Sequence, residues 1–173
     1  MEVAFETVTE KTIGVYIDTG KQSYIEHYLH LWKNDDPSPY ISRSFTPEIV
    51  RSEINDDNNA HFLVKMNNDT MGIVKLVLNK GFGAFDGEEA LLAEKIYLLK
   101  DHSGRGLGKQ VLQFIMKLAK RLNKKVVWLD TMKKGRTLGF YQKNGFKIVK
   151  ETSLKLSNVK ISESAMWVLA REL

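Results

Sequence analysis

The stretch from residue 91 to residue 130 restricts the fold of this chain more than any other. Residues 91–99, Leu-Leu-Ala-Glu-Lys-Ile-Tyr-Leu-Leu, read as a strand, and a glycine turn follows at residues 104–108. An amphipathic helix comes next, with Leu107, Val111, Ile115, Leu118 and Leu122 on one stripe and Lys109, Gln113, Lys117 and Lys120 elsewhere. Residues 126–130, Val-Val-Trp-Leu-Asp, form a second apolar strand, of the kind buried on both faces. A short helix over residues 135–144 ends at Gly145, and residues 146–156 and 164–171 read as closing strands. Strand, helix, strand, helix and further strands predict a mixed α/β sheet.

The earlier part of the chain reads less sharply. Residues 12–18 suggest a short strand, and residues 21–32 a helix with Ile25, Tyr28, Leu29 and Trp32 on its apolar side. An Asp/Pro/Ser turn cluster occupies residues 34–39, between two helices. Thr46-Pro47-Glu48 places a capping side chain before a proline at the first helical position, which opens a helix to about residue 55. Residues 60–66 and 71–78 read as a hairpin turning at Asn67-Asn68-Asp69. With no repeat and no linker, the 173 residues are expected to form one domain, residues 1–173.

Composition enters through charge. Residues 1–100 carry 10 Lys and Arg against 16 Asp and Glu, whereas residues 101–150 carry 13 against 2. Such a segment attracts anions. Nucleic acid is one candidate, but aromatic residues are not interleaved with the basic ones as a stacking platform requires, so no nucleic-acid partner is expected. The chain has no cysteine, which excludes disulfides, thiolate metal sites and a cysteine nucleophile. No apolar run is long enough to span a bilayer, and residues 1–20 lack the apolar stretch of a secretory leader; a cytoplasmic location is the default expectation.

The glycine turn, Ser103-Gly104-Arg105-Gly106-Leu107-Gly108-Lys109, carries the clearest chemistry. Alternating glycines let backbone approach a ligand closely, and the helix behind them points free N–H groups at it, a place anions prefer. It is not a Walker A loop, because Ser103 stands at the first glycine position and Gln110 follows the lysine. It is not a dinucleotide fingerprint, because the spacing is Gly-x-Gly-x-Gly. Glu94 shares a strand face with Leu92, Ile96 and Leu98, while Lys95 points to the other face and cannot be its partner. Desolvation there would raise its pKa towards that of a useful base; a structural salt bridge to another strand is the other reading. Tyr141 reads, on pattern alone, as a core aromatic. His27 and His30 have no third ligand at metal spacing, and no metal site is expected. Trp32 is read as core or pocket wall.

Residues 91–109 closely resemble motif A of the GNAT acyltransferases: a strand, a glycine loop and a helix. Phe140-Tyr-Gln-Lys-Asn-Gly-Phe146 is similar to the family's motif B, an aromatic-Tyr helix closed by Gly-Phe. The resemblance runs from about residue 46 to the C-terminus, and the register of Glu94 and Tyr141 looks most like the bacterial polyamine acetyltransferases. Motif A usually opens with Arg or Gln, where Ser103 stands; the usual Asn and Ala before the motif B tyrosine are Lys134 and Thr137 here.

The resemblance implies a GNAT-like fold: a mostly antiparallel mixed sheet of six to seven strands, about four flanking helices, and central parallel strands that splay apart. It implies an acetyl-coenzyme A-dependent N-acetyltransferase acting on a small-molecule primary amine, without a metal. Backbone groups of Ile96, Tyr97 and Leu98 would hold the pantetheine arm. The loop from Ser103 through Gly104, Arg105, Gly106, Leu107 and Gly108 to Lys109 would hold the pyrophosphate. Thr137 lies near the cofactor, and Lys134, Arg136 and Lys143 would face its 3′-phosphate. Glu94 would deprotonate the amine and Tyr141 protonate the departing thiolate. Trp32, Asp35 and Asp36 would wall the acceptor site, whose acidic character suggests a polyamine or another cation. A non-catalytic acyl-CoA-binding module and a peptide or protein N-terminal acetyltransferase are the alternatives; whether the chain pairs as a homodimer stays open.

Overall fold

The computed structural model describes residues 3–102 and 106–173. Seven strands form one mixed sheet in the order β1-β2-β3-β4-β5-β7-β6. They are β1 (Val3–Thr7), β2 (Asn59–Met66), β3 (Asp69–Val77), β4 (Ala90–Leu98), β5 (Val126–Met132), β6 (Lys147–Ser153) and β7 (Ala165–Glu172). Five α-helices flank it: α1 (Ile13–Tyr28), α2 (Ser38–Ser44), α3 (Pro47–Ile54), α4 (Leu107–Arg121) and α5 (Thr137–Lys143). All neighbouring strands run antiparallel except β4 and β5, the expected central parallel pair.

Most of the expected elements are present. Thr46 caps α3, its Oγ1 accepting the Ile49 N–H at 3.4 Å. The β2–β3 hairpin turns at Asn67 and Asn68, both with positive φ (51° and 70°), which asparagine tolerates better than most residues. The first fifty residues are where the structure departs from expectation. Residues 12–18 are not a strand but the first turns of α1. Ile13, Tyr16, Ile17, Gly20 and Tyr24 are buried, and that spacing is a helical stripe; the β-branched residues among them mimic a strand only locally. Ile25 lies 44% exposed, off the stripe, and the helix tightens into a short 3₁₀ turn at Leu29–Leu31. Strand β1 and helix α2 were not anticipated.

Two cores lie on opposite faces of the sheet, as alternation along each strand requires. Val64, Val74, Leu91, Ala93, Val127 and Leu129 pack under α4 through Val111, Ile115 and Ala119. Leu63 and Ile73 face the other way, against Tyr16, Tyr24, Phe45 and Val50 of the α1–α3 side. Leu118 lies at the margin of the first core, and Leu122 is 40% exposed, so the α4 stripe turns towards Leu112 and Met116 instead.

Candidate active site

The site begins where two strands part. β4 and β5 pair at Ala90↔Val126, Leu91↔Val127 and Leu92↔Trp128, and no further. Beyond that point β4 stays joined to β3 as far as Leu98, and β5 to β7 as far as Met132, so the two facing edges diverge. A cavity of about 590 Å³ occupies the divergence. Ala93 to Tyr97 line it from β4, Leu129 to Met132 from β5, Thr137 and Tyr141 from α5, and Tyr24, Tyr28, Tyr40 and Arg43 from α1 and α2.

Backbone direction decides which β4 groups a ligand can reach. The Leu99 N–H donates to the Met71 carbonyl at 2.8 Å, on the β3 side. Alternation then turns the backbone groups of Tyr97 to β3 as well, and those of Ile96 and Leu98 to the gap. Tyr97 therefore offers no backbone group to a pantetheine arm, a correction to the expectation. Its hydroxyl instead meets that of Tyr40 at 2.5 Å, inside a cluster where Tyr24 and Tyr40 stack at 4.1 Å. The Leu98 carbonyl is also engaged: Ser23 Oγ donates to it at 3.0 Å and His27 Nε2–H at 2.9 Å. This leaves the N–H groups of Ile96 and Leu98 and the Ile96 carbonyl on the gap side. His27, considered above as a ligand, is thus a pin between α1 and β4, and Glu26 adds a second by accepting the Lys100 N–H at 2.8 Å.

Of the glycine loop, Ser103, Gly104 and Arg105 lie outside the described residues. Gly106 is the N-cap of α4 at φ 78°, a left-handed conformation suited to glycine, and among the described residues no side chain caps the helix. Leu107 is buried in the core and anchors the first turn, while Lys109 is exposed. At Gly108 a Cβ would come within 3.0 Å of Phe140 Cζ, so the glycine lets α4 and α5 approach. Thr137 Oγ1 and Thr131 Oγ1 lie 2.8 Å apart, fastening α5 to the diverging end of β5. One turn on, Tyr141 packs edge-on to Phe146 and lines the cavity. Burial pushes its hydroxyl pKa up.

Glu94 departs from expectation in two ways. The β3–β4 register shifts so that Lys75 faces Lys95 and Leu76 faces Ala93, which makes Glu94 the extra residue of a bulge. Strand alternation fails there, and Lys95, expected on the other face, is a direct partner: its Nζ lies 2.6 Å from Glu94 Oε2, as does Lys75 Nζ. Lys75 also meets Glu53 Oε1 at 2.6 Å, and His61 Nε2–H donates to Glu53 Oε2 at 3.0 Å. Burial alone would raise the Glu94 pKa, but Lys95 and Lys75 outweigh it and hold the carboxyl below its usual value. Glu53 follows the same pattern and is brought down to about 2 by His61, Lys75 and Lys95 against the upward pull of burial. The expected upward shift at Glu94 is therefore reversed. Asp130, on β5 and lining the same cavity, is the carboxylate whose pKa burial does raise, opposed by the charge of Lys150. The sequence reading missed it because Asp130 looked like the polar end of an apolar strand.

The acceptor wall is also different from the one expected. Trp32 is fully buried in the α1–α3 core, with its Nε1–H donating to the Tyr24 hydroxyl at 3.2 Å. Asp35 and Asp36 are exposed and do not line the cavity; Asp36 Oδ1 accepts the Ser38 N–H, a turn-forming role. Lys134 is exposed and paired with Glu163 at 2.7 Å, and Arg136 and Lys143 are exposed. Among the described residues, no group of three or more His, Asp or Glu side chains is placed to hold a metal ion.

Residues 57–148 match the family model for the acetyltransferase (GNAT) domain, more than half of the chain. The chain belongs to the GNAT acetyltransferase family. Its chemistry is acetyl transfer from acetyl-coenzyme A to nitrogen. An uncharacterized N-acetyltransferase of Lactobacillus delbrueckii subsp. lactis is 22% identical over 139 residues, covering 80% of each protein. Among solved structures, the PaiA N-acetyltransferase of Thermoplasma acidophilum, in complex with coenzyme A, superposes with a TM-score of 0.78 at 15% identity over all of both chains. A GNAT family acetyltransferase of Elizabethkingia anophelis with acetyl-CoA bound gives 0.60 at 17% identity, over 99% of this chain and 98% of the other. The matched span of this acetyltransferase contains β4, α4, β5 and α5, and leaves α1–α3 outside it.

Proposed function

We propose that the cavity between β4 and β5 is the active centre, and that a primary amine there attacks the thioester of acetyl-coenzyme A directly. One observation carries this reading: β4 and β5 diverge into a cavity that Tyr141 of α5 lines, and the start of α4 packs on α5 beside it, Gly108 against Phe140. When bound, acetyl-coenzyme A supplies an acyl group activated as a thioester. The N–H groups at the start of α4 suit its pyrophosphate. The gap-side groups of Ile96 and Leu98 suit the pantetheine amides, and an N–H there can stabilise the developing oxyanion. Tyr141, which lines the cavity and is kept protonated by burial, would give its proton to the departing sulfur.

Glu94, which lines the cavity with its side chain one-third exposed, would receive the proton of the amine through water. A specific observation favours a second candidate for that step. Asp130 holds its proton more tightly than an ordinary carboxylate, as a working base should, whereas Glu94 is tied to two lysines. Thiol release from acetyl-coenzyme A with a panel of primary amines tests the reading as a whole. Wild-type protein turns over at least one amine, and removing the true base, by Glu94→Gln or Asp130→Asn, lowers kcat by roughly 10²–10⁴ and flattens the acidic limb of the pH profile. Tight acetyl-coenzyme A binding with no turnover on any amine would instead favour a binding module.

A further inference from the structure

The charges lining the cavity do not favour the cationic acceptor that the acidic N-terminal half suggested. Glu53 and Glu94 are neutralised by Lys75 and Lys95, which are themselves 5% and 6% exposed and cannot turn away. The aspartates expected to concentrate a cation, Asp35 and Asp36, are exposed and lie outside the cavity lining, and Asp36 holds the Ser38 N–H. Three charged groups of the lining remain, Arg43, Lys155 and Asp130, and among the described residues none of them has an ion-pair partner. The cavity therefore presents two unpaired cations and one unpaired acid. A polyamine would meet Arg43 and Lys155 as like charges.

Resting on the acetyl-transfer reading above, we propose that the acceptor is an amine that carries its own carboxylate, and that Arg43 binds that carboxylate. Arg43 sits in the last turn of α2, three residues after Tyr40, whose ring stacks on Tyr24 and whose hydroxyl meets Tyr97. The tyrosine cluster fixes the turn from which the guanidinium reaches the cavity. A guanidinium is the side chain best shaped for a carboxylate, through two parallel N–H···O bonds. Lys155 adds a second positive charge, and Asp130 gives the ammonium end of the same molecule a counter-charge.

The test uses acceptor pairs that differ by the carboxylate alone, L-phenylalanine with 2-phenylethylamine and L-ornithine with putrescine, read as kcat/KM by thiol release. The acid-bearing member of a pair is expected to lead by about 10- to 100-fold, the usual weight of a charge-assisted pair of hydrogen bonds. Arg43→Gln should collapse that ratio towards one, and Arg43→Lys, which keeps charge but loses the fork, should leave it in between. A ratio below one in the wild type, or one that Arg43→Gln does not change, overturns the proposal. Failure of every member while acetyl-coenzyme A still binds by calorimetry overturns it and leaves the cofactor site standing. Loss of acetyl-coenzyme A binding itself removes the acetyl-transfer site on which the proposal rests.

Discussion

The two faces of the sheet meet at one cavity but are built from different materials. On the α4–α5 face the useful groups, those proposed to hold the cofactor, are backbone, namely the start of α4, a left-handed glycine and the gap-side groups of β4, over an aliphatic core, and one side chain, Tyr141, joins them at the leaving group. On the α1–α3 face they are side chains: stacked tyrosines, two buried lysines with their glutamates, and an arginine. A cofactor gripped by backbone needs glycines at fixed spacing and tolerates variation elsewhere. An acceptor gripped by side chains leaves no fixed spacing at all. The span that matches the family model, residues 57–148, takes in the first kind of construction and omits α1–α3.

If the division is right, the largest single effect falls on the α5 side, at the leaving group. Tyr141→Phe should lower kcat by roughly 10²–10⁴ with little change in acetyl-coenzyme A affinity. Wild-type kcat in that variant would return Tyr141 to the core, where its contacts with Phe140 and Phe146 would be its whole role.

The acceptor face is probed through acid. The folded-state pKa of Glu53 is lowered from 4.5 to about 2, so its contribution to stability is complete above 4.5 and is lost as pH falls towards 2. That share is about 3 kcal/mol. Urea unfolding of wild type should weaken by that amount across this window more than unfolding of Glu53→Gln does. Parallel pH dependences would dissolve the Glu53–Lys75–Glu94–Lys95 network as a stabilising unit.

A smaller effect sharpens the backbone side. Among the described residues nothing lies within 4 Å of a Cβ built on Gly106, so Gly106→Val meets no clash there, but its φ of 78° penalises a branched residue. Acetyl-coenzyme A affinity should fall about tenfold or more, while the thermal transition drops by only a few degrees, the cost of the left-handed backbone. Unchanged affinity in the folded variant would detach the loop from the cofactor.

These differences in construction explain what could be read in advance. The α4 stripe, the Asn67-Asn68 turn and the Thr46 cap are local patterns with local causes, and each was legible. The β4–β5 pair was legible because each strand opens on an unbroken apolar run, residues 90–93 and 126–129, and the pairing falls within these runs. The bulge at Glu94 was not, since it exists only in the register between β3 and β4, and it moved Lys95 to the side where strand alternation forbids it. Residues 12–18 misled for a related reason: β-branched side chains favour strands locally, while the stripe that makes α1 a helix emerges only over four turns. Arg43 and Asp130 carry no motif, and only their place on the cavity marks them.

The central claim is that the diverging edges of β4 and β5 hold acetyl-coenzyme A. Amide hydrogen exchange, with and without acetyl-coenzyme A, tests it residue by residue. The account predicts slowed exchange at Ile96, Leu98 and the first turn of α4, with Tyr97 unaltered because its N–H already faces β3. Equal protection of Tyr97, or no change at Ile96 and Leu98 under saturating acetyl-coenzyme A, would contradict it.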